Sequence, residues 1–403
     1  MKRGIVEIGI LFIVSSLLIF YQFNQIPKNL SFDEVEFARL ALHLDKVPYT
    51  AYSPLATGHS TLYFYIILFS FKLFGITSFA LRIPSAVFGF LNVFLFYAIM
   101  RKIFNDKGDN FIPFLLAFVF VTLRWYFNFA RYGFEATFLL FLELSALNLL
   151  FGYIRKKDNL YLAESGFFSG LAFNSYLPGR LFFLVPLFLL AIRRHLKSIF
   201  LFIIPFLIVI TPLCLYLWVH GDSRVNQQFY PVNTELTLSQ KVNFLSQNTT
   251  SYVSSFFIKG DMNGRHNYPG KPILNPIVGV FVILGLCLSF LKLSDFYNQF
   301  FLVYFFISAL PSFLTYPWEN PNILRAFTVI PSLVFFVGRG IQYLMGLKIK
   351  LRKTLMVFFI FIFFAISSFY ELRTYFVYQS KVFDQAFEAV GSLKENLIKP
   401  YVK

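Results

Sequence analysis

Residues 5–23 read IVEIGILFIVSSLLIFYQF, and residues 31–44 read SFDEVEFARLALHL. The first stretch is apolar and long enough to cross a membrane. The second carries acids among apolar residues in a helical period, and it follows the first almost directly. A membrane span leading into a helix on the membrane surface is the reading that decides the fold. Working outward, comparable apolar runs recur across all 403 residues, of which 57% are hydrophobic and 14% charged. That composition excludes a soluble globular enzyme, a disordered chain and a coiled coil. The two cysteines, Cys214 and Cys287, both sit in apolar runs, so neither a disulfide framework nor a thiolate metal site is expected.

The net charge is +16. In a membrane protein such an excess belongs in cytoplasmic loops, so no nucleic-acid partner is expected. Met1-Lys2-Arg3 precedes the first run, and no convincing small-residue cleavage site follows it. An uncleaved anchor with a cytoplasmic N-terminus is expected. Residues 61–75 are short for a span and contain Lys72. If they lie on the outer surface, the basic clusters around Arg101, Arg155, Arg193, Lys292 and Lys348 all fall inside. Sixteen cations then face four acids, Asp106, Asp109, Asp158 and Asp295. The positive-inside rule favours that arrangement.

The expectation is therefore an all-α polytopic membrane protein of about eleven transmembrane helices plus outer amphipathic helices. The spans fall near 4–23, 78–100, 111–124, 136–153, 160–177, 180–192, 198–219, 272–293, 299–316, 325–345 and 354–370. Residues 1–370 form one module with long outer loops at 24–77 and 220–271. The second loop shows no clear helical period. Residues 371–403 form a short outer tail. With no organelle-targeting signal, a prokaryotic plasma (inner) membrane is the expected location.

Within the first outer loop, Ser31 can cap a helix, with Glu34 three residues later completing a capping box. At 100° per residue, Glu36, Arg39 and His43 form a polar stripe, while Asp33 and Glu34 fall on the apolar side. Two carboxylates beside a membrane are costly unless they face a polar cavity. Two readings stay open here. The acids can serve the helix terminus and its dipole, or Asp33 can be a general base at a membrane-surface cavity.

This acidic pair after the first span, followed by a surface helix, resembles the GT-C superfamily of membrane glycosyltransferases. The segment Gly58-His59-Ser60-Thr61-Leu62-Tyr63-Phe64-Tyr65 is similar to the family's His-Pro-Pro-Leu-Tyr-Tyr stretch, with Ser60-Thr61 replacing the two prolines. Lys72–Gly75 with Phe79–Ala86, then Ala130–Glu135, Asn267–Pro272 and Leu324–Ala326, resemble later family segments in the family's order. The resemblance covers roughly residues 1–370 and looks closest to the family 39, Rgt-like, protein mannosyltransferase-like and aminoarabinose transferase-like branches. It implies the GT-C fold, with a polyprenyl-phosphate sugar donor taken from the outer leaflet. It also implies an acceptor hydroxyl attacking with inversion, and Asp33 as the base. The acceptor class (lipid, polysaccharide or protein) stays open. Membrane lipids are the remaining partner.

A phosphate leaving group needs cations or N–H donors, because charge builds on it. Arginine suits this role. Arg131, Arg180 and Arg325 all fall on the outer side and are candidates, each with the alternative of anchoring a helix end. Glu34, His59, Tyr132, Arg265 and His266 complete the candidate substrate-binding set. Asp33, Glu34, His59 and His266 can be imagined as ligands of a metal, since some relatives hold one. No spacing signature supports it, so no obligatory metal or other cofactor is expected. A transporter or flippase is the competing class, and a non-catalytic scaffold the third. Few charges fall at mid-span and no internal repeat is evident, which disfavours the transporter.

Overall fold

In the hydrocarbon of a membrane an apolar run must satisfy its own backbone, so it spans as a helix. A computed structural model describes residues 2–104, 111–192, 196–347 and 353–399. The basic-cluster residues Lys107, Arg193, Arg194, Lys348, Lys350 and Arg352, with Asp106, Asp109 and the tail residues 400–403, lie outside the described residues.

The first anchor is helix α1 (Lys2–Phe20), and the surface helix is α2 (Phe32–Leu44). A two-stranded hairpin follows, β1 (Tyr52–Ser53) with β2 (His59–Ser60), then α3 (Leu62–Phe74) and α4 (Ser78–Phe104). Next come α5 (Ile112–Thr122), α6 (Arg124–Phe129), α7 (Ala136–Lys156), α8 (Asn159–Phe173), α9 (Leu184–Ile192) and α10 (Leu196–His220). Short α11 (Ser223–Gln228) and long α12 (Leu238–Phe257) lie between α10 and α13 (Pro276–Leu291). The rest is α14 (Phe296–Leu314), α15 (Ile330–Gly346), α16 (Lys353–Arg373), α17 (Ser380–Ala386) and α18 (Leu393–Ile398).

Each of the eleven expected spans is helical. Among the described residues, seven helices are long and apolar enough to cross a membrane, so helix length alone does not fix the count at eleven. The core is built on α7 and α15, which are largely buried; α1, α10 and α16 turn apolar side chains outward. Ile5, Phe12, Phe200, Ile208, Phe358 and Phe369 are exposed in this way, as expected of surfaces that meet lipid tails. Lipid gives helices no hydrophobic reason to associate, so close backbone packing must hold them. Gly166 lets α8 approach the Phe202 carbonyl of α10, and Gly285 lets α13 approach the Phe336 carbonyl of α15.

Two expectations about the outer segments are corrected. The loop 220–271 contains a 20-residue helix, α12, opened by a capping box between Thr237 and Gln240. Within the expected tail, residues 371–399 pack against the rest of the molecule. They fold back so that Tyr375, Phe383 and Phe387 are buried, and Leu30 and Ala389 exchange backbone hydrogen bonds of 3.2 and 2.9 Å. Arg39 of α2 donates to the carbonyls of Asn396 and Lys399. The C-terminal end of the chain thus clamps the first loop and its surface helix.

Candidate active site

The site begins with the turn that starts α2. Ser31 Oγ accepts the Glu34 N–H, and the Glu34 carboxylate accepts the Ser31 N–H at 3.0 Å. Glu34 also takes hydrogen bonds from Arg82 Nε at 2.7 Å, Arg82 Nη2 at 3.0 Å and the Gly133 N–H at 2.9 Å. It is fully buried. Burial alone raises its pKa, but the Arg82 guanidinium and the two N–H donors outweigh this and hold it below the usual carboxylate range. Glu34 is therefore corrected from a substrate ligand to a structural anchor, because no part of it is open. With Glu34 turned inward, the position before it on the helix turns outward. The Asp33 side chain is 51% exposed.

Asp33 opens into a cleft of about 290 Å³ whose wall carries three arginines, Arg224, Arg265 and Arg325, with His59, Glu36 and His266. Arg265 Nη1 lies 2.7 Å from Asp33 Oδ2. Its loop is pinned by Asn128, whose Nδ2 donates to the carbonyls of Arg265 and His266 at 2.8 and 3.1 Å. His266 pairs with Asp261 at 2.9 Å, and Asp261 accepts the Ile323 N–H, tying this loop to the segment before α15. Arg325 pairs with Glu319 and is 8% exposed. Among the described residues its Nη1 has no hydrogen-bond partner. An unsatisfied buried guanidinium nitrogen is costly and marks a place for an acceptor.

His59 is buried beneath the cleft. Its Nδ1 lies 3.1 Å from Glu135 Oε1, and Arg224 Nη1 lies 2.7 Å from Nδ1 and 2.9 Å from Nε2. Arginine and carboxylate fix the roles: with Nδ1–H donating to Glu135, Nε2 is the ring's acceptor for Arg224. Burial, then the Arg224 charge, lower the His59 pKa against the opposing pull of Glu135, so the ring stays neutral. Arg224 stacks 5.3 Å from the Tyr176 ring centre. Glu36, one helical turn beyond Asp33, has its pKa raised by burial and by Asp33, with Arg39 opposing.

Of the expected site residues, the cleft gathers Asp33, His59, Arg265, His266 and Arg325. Three others lie elsewhere. Arg131 is fully buried and donates to the carbonyls of Leu18, Ile19, Tyr21 and Ile26, at 2.7, 3.0, 2.7 and 3.0 Å. It caps the C-terminal end of α1, whose last carbonyls lack helical partners, and is corrected from a phosphate ligand to a structural cap. Arg180 pairs with Asp222 rather than lining the cleft, and Asp222 in turn caps α11. Arg180 therefore acts by holding Arg224 in place. Tyr132 is buried among Phe129, Phe134 and Phe387 and does not reach the cleft.

Arg224 was missed. It lies in the 220–271 loop, and the available signal was Asp222, an N-cap residue just after Gly221. Of the side chains imagined as metal ligands, Glu34 is committed to Arg82 and His59 to Glu135 and Arg224, while His266 gives its Nδ1 to Asp261. The side chain bonded to Asp33 is itself a cation. Among the described residues no group of three His, Cys, Asp or Glu side chains converges.

Comparison with known proteins agrees with this architecture. Residues 58–218 match the sequence model of the family described as dolichyl-phosphate-mannose-protein mannosyltransferase. No curated protein sequence matches. The fold is similar to ArnT from Cupriavidus metallidurans, solved bound to undecaprenyl phosphate: 10% identity, TM-score 0.53, covering 98% of this chain and 78% of that one. It is also similar to the Archaeoglobus fulgidus oligosaccharyltransferase in its apo form, at 14% identity and TM-score 0.54. The same organism's AglB, in complex with an inhibitory peptide and a dolichol-phosphate, matches at 14% identity and TM-score 0.51. This chain covers 96% of its own length in both archaeal matches and spans 56% of each of those chains. Residues 58–218 thus resemble that family, and the chain shares the fold of these solved structures.

Proposed function

We propose that this protein transfers a sugar from a polyprenyl-phosphate donor to an acceptor hydroxyl, with inversion, at the extracytoplasmic face of a prokaryotic plasma membrane. The observation that carries the reading is Asp33, half-exposed and paired with Arg265, in a cleft that also presents Arg224 and the partnerless Nη1 of Arg325. The lipid phosphates in the solved ArnT and AglB complexes support the donor class.

The chemistry follows from the charges. The acceptor oxygen attacks the anomeric carbon from the face opposite the phosphate, the carbon–oxygen bond to phosphate breaks, and the acceptor proton passes to Asp33. Negative charge then gathers on the departing polyprenyl phosphate, where Arg224 and Arg325 stabilise it. Arg265 holds the Asp33 carboxylate in one orientation. Neutral His59 leaves the Arg224 charge free to face the phosphate, since a second cation beneath it would be repelled. No metal is needed in this scheme.

The test is the purified protein in lipid nanodiscs, given a panel of polyprenyl-phosphate sugars and cell-envelope acceptors. Release of polyprenyl phosphate, with the product anomer opposite to that of the donor by NMR, is the expected result. A product that keeps the donor's configuration contradicts the single displacement, and no release with any donor contradicts the transferase reading.

A further inference from the structure

A second cleft of about 470 Å³ opens beside the first, between residues 261–266 and residues 318–322. The two share Asn263, His266 and Asn322 in their walls. They are bridged by the Arg325–Glu319 pair, with Arg325 in one wall and Glu319 in the other. A molecule seated in the second cleft therefore abuts the Asp33 cleft across the Arg325–Glu319 pair.

The wall chemistry is specific. Trp318 stacks on Tyr316 with ring centres 4.4 Å apart and planes 16° apart, and Trp318 is nevertheless 72% exposed. One face of the indole is thus spent on Tyr316, Phe244 packs edge-on against it at 6.2 Å, and most of the remainder is open. Around it stand carboxylates and amides: Asp261, Asn263, Glu319 and Asn322. Asn320 commits its Nδ2 to Asn248, Ser312 and Thr315, while among the described residues its Oδ1 has no partner. Among the residues lining this cleft there is no lysine or arginine. A phosphorylated acceptor finds no lysine or arginine in that lining and meets the Glu319 carboxylate, which Arg325 holds from the neighbouring cleft, while Asp261 is buried on Asn263, His266 and Ile323. A neutral polyol fits: its C–H face packs on the indole, and its hydroxyls donate to carboxylate and amide oxygens.

We infer that this second cleft is the acceptor subsite and that the acceptor is a neutral saccharide, one of whose hydroxyls reaches Asp33. The inference rests on the proposed sugar transfer for its purpose, but binding is measurable without any donor. The experiment titrates the protein in nanodiscs, by calorimetry, with neutral hexasaccharides of glucose, mannose and galactose. A hydroxyl-rich hexapeptide and a phosphatidylglycerol vesicle serve as comparison probes. Wild type, Trp318→Ala and Trp318→Phe are run side by side; the residue is exposed, so both variants are expected to fold. Saturable binding of a hexasaccharide, weakened at least tenfold in Trp318→Ala and within threefold of wild type in Trp318→Phe, is the expected result. Equal binding by Trp318→Ala overturns the assignment of the cleft. Binding of the peptide or the vesicle with no hexasaccharide bound overturns the acceptor class, as does absence of binding by every probe. Saccharide binding without donor turnover on any polyprenyl-phosphate sugar sinks the transferase reading alone. Turnover onto a peptide with no saccharide bound sinks this inference alone.

Discussion

Asp33 and Glu34 are neighbours in the chain and opposites in environment. Glu34 is enclosed by Arg82, Gly133 and Ser31, and Asp33 opens to the cleft. Removing one partner of the enclosed pair leaves a buried charge uncompensated, so Arg82→Met is expected to cost about 3–5 kcal/mol of stability. Thermal unfolding in detergent checks this, and a change within 1 kcal/mol of wild type, the range of an exposed ion pair, contradicts it. His59 supplies a pH signature. Its folded pKa lies below the ordinary 6.5 of the unfolded chain, so below that pH the unfolded state binds the extra proton first. Stability is then full above about pH 6.5 and falls as pH drops toward the folded value. His59→Gln is expected to flatten the acid side of the melting-temperature profile; an unchanged slope contradicts the assignment. The sequence showed two acids at a helix start and could not say which faced inward. That choice is made by Arg82, 48 residues away, which the sequence offered only as part of a resembling segment. The same blindness misled the reading of Arg131. An outer arginine suits a phosphate and a helix C-terminus equally well, and only the packing of α1 decides.

At the scale of elements, the cleft depends on a short turn. Gly58 has φ +94°, and a Cβ there would collide with Tyr52 Oη and Ser223 Oγ. These two hydroxyls lie 3.0 Å apart, and Tyr52 also bonds Asp222, the cap of the helix that bears Arg224. Gly58→Ala is therefore expected to shift α11 and raise the donor KM severalfold, with a smaller change in kcat. Steady-state kinetics over a range of donor concentrations separates the two, and an unaltered KM contradicts the coupling. The capping box of α2 was legible from Ser31 and Glu34 alone, because that signal is local. Helix α12 was not legible. It carries mostly polar residues on an outer surface, where burial of Tyr252 and Phe256 against the rest of the molecule decides its one apolar side. The folded tail escaped for the same reason: Tyr375, Phe383 and Phe387 find their partners far back in the chain.

For the whole molecule, apolar run length and period located the seven helices that, among the described residues, are long and apolar enough to cross a membrane. Charge placement implies an orientation. The account expects the cleft outside and the α13–α14 turn inside. In a cysteine-free background, Thr57→Cys should react with a membrane-impermeant maleimide on intact cells, and Lys292→Cys only after permeabilisation. The reverse pattern contradicts the orientation. Beyond placement, the molecule reads as a rigid helical base with one end loaded with arginines around a single half-exposed carboxylate. The most direct test of that account is release of polyprenyl phosphate from its sugar-loaded form by wild type and by Asp33→Asn, at matched protein and donor concentrations. Loss of a general base predicts a fall of about 10²–10⁴-fold in the Asp33→Asn rate with its melting temperature preserved. Equal release by the two proteins would remove Asp33 from the chemistry and contradict the account.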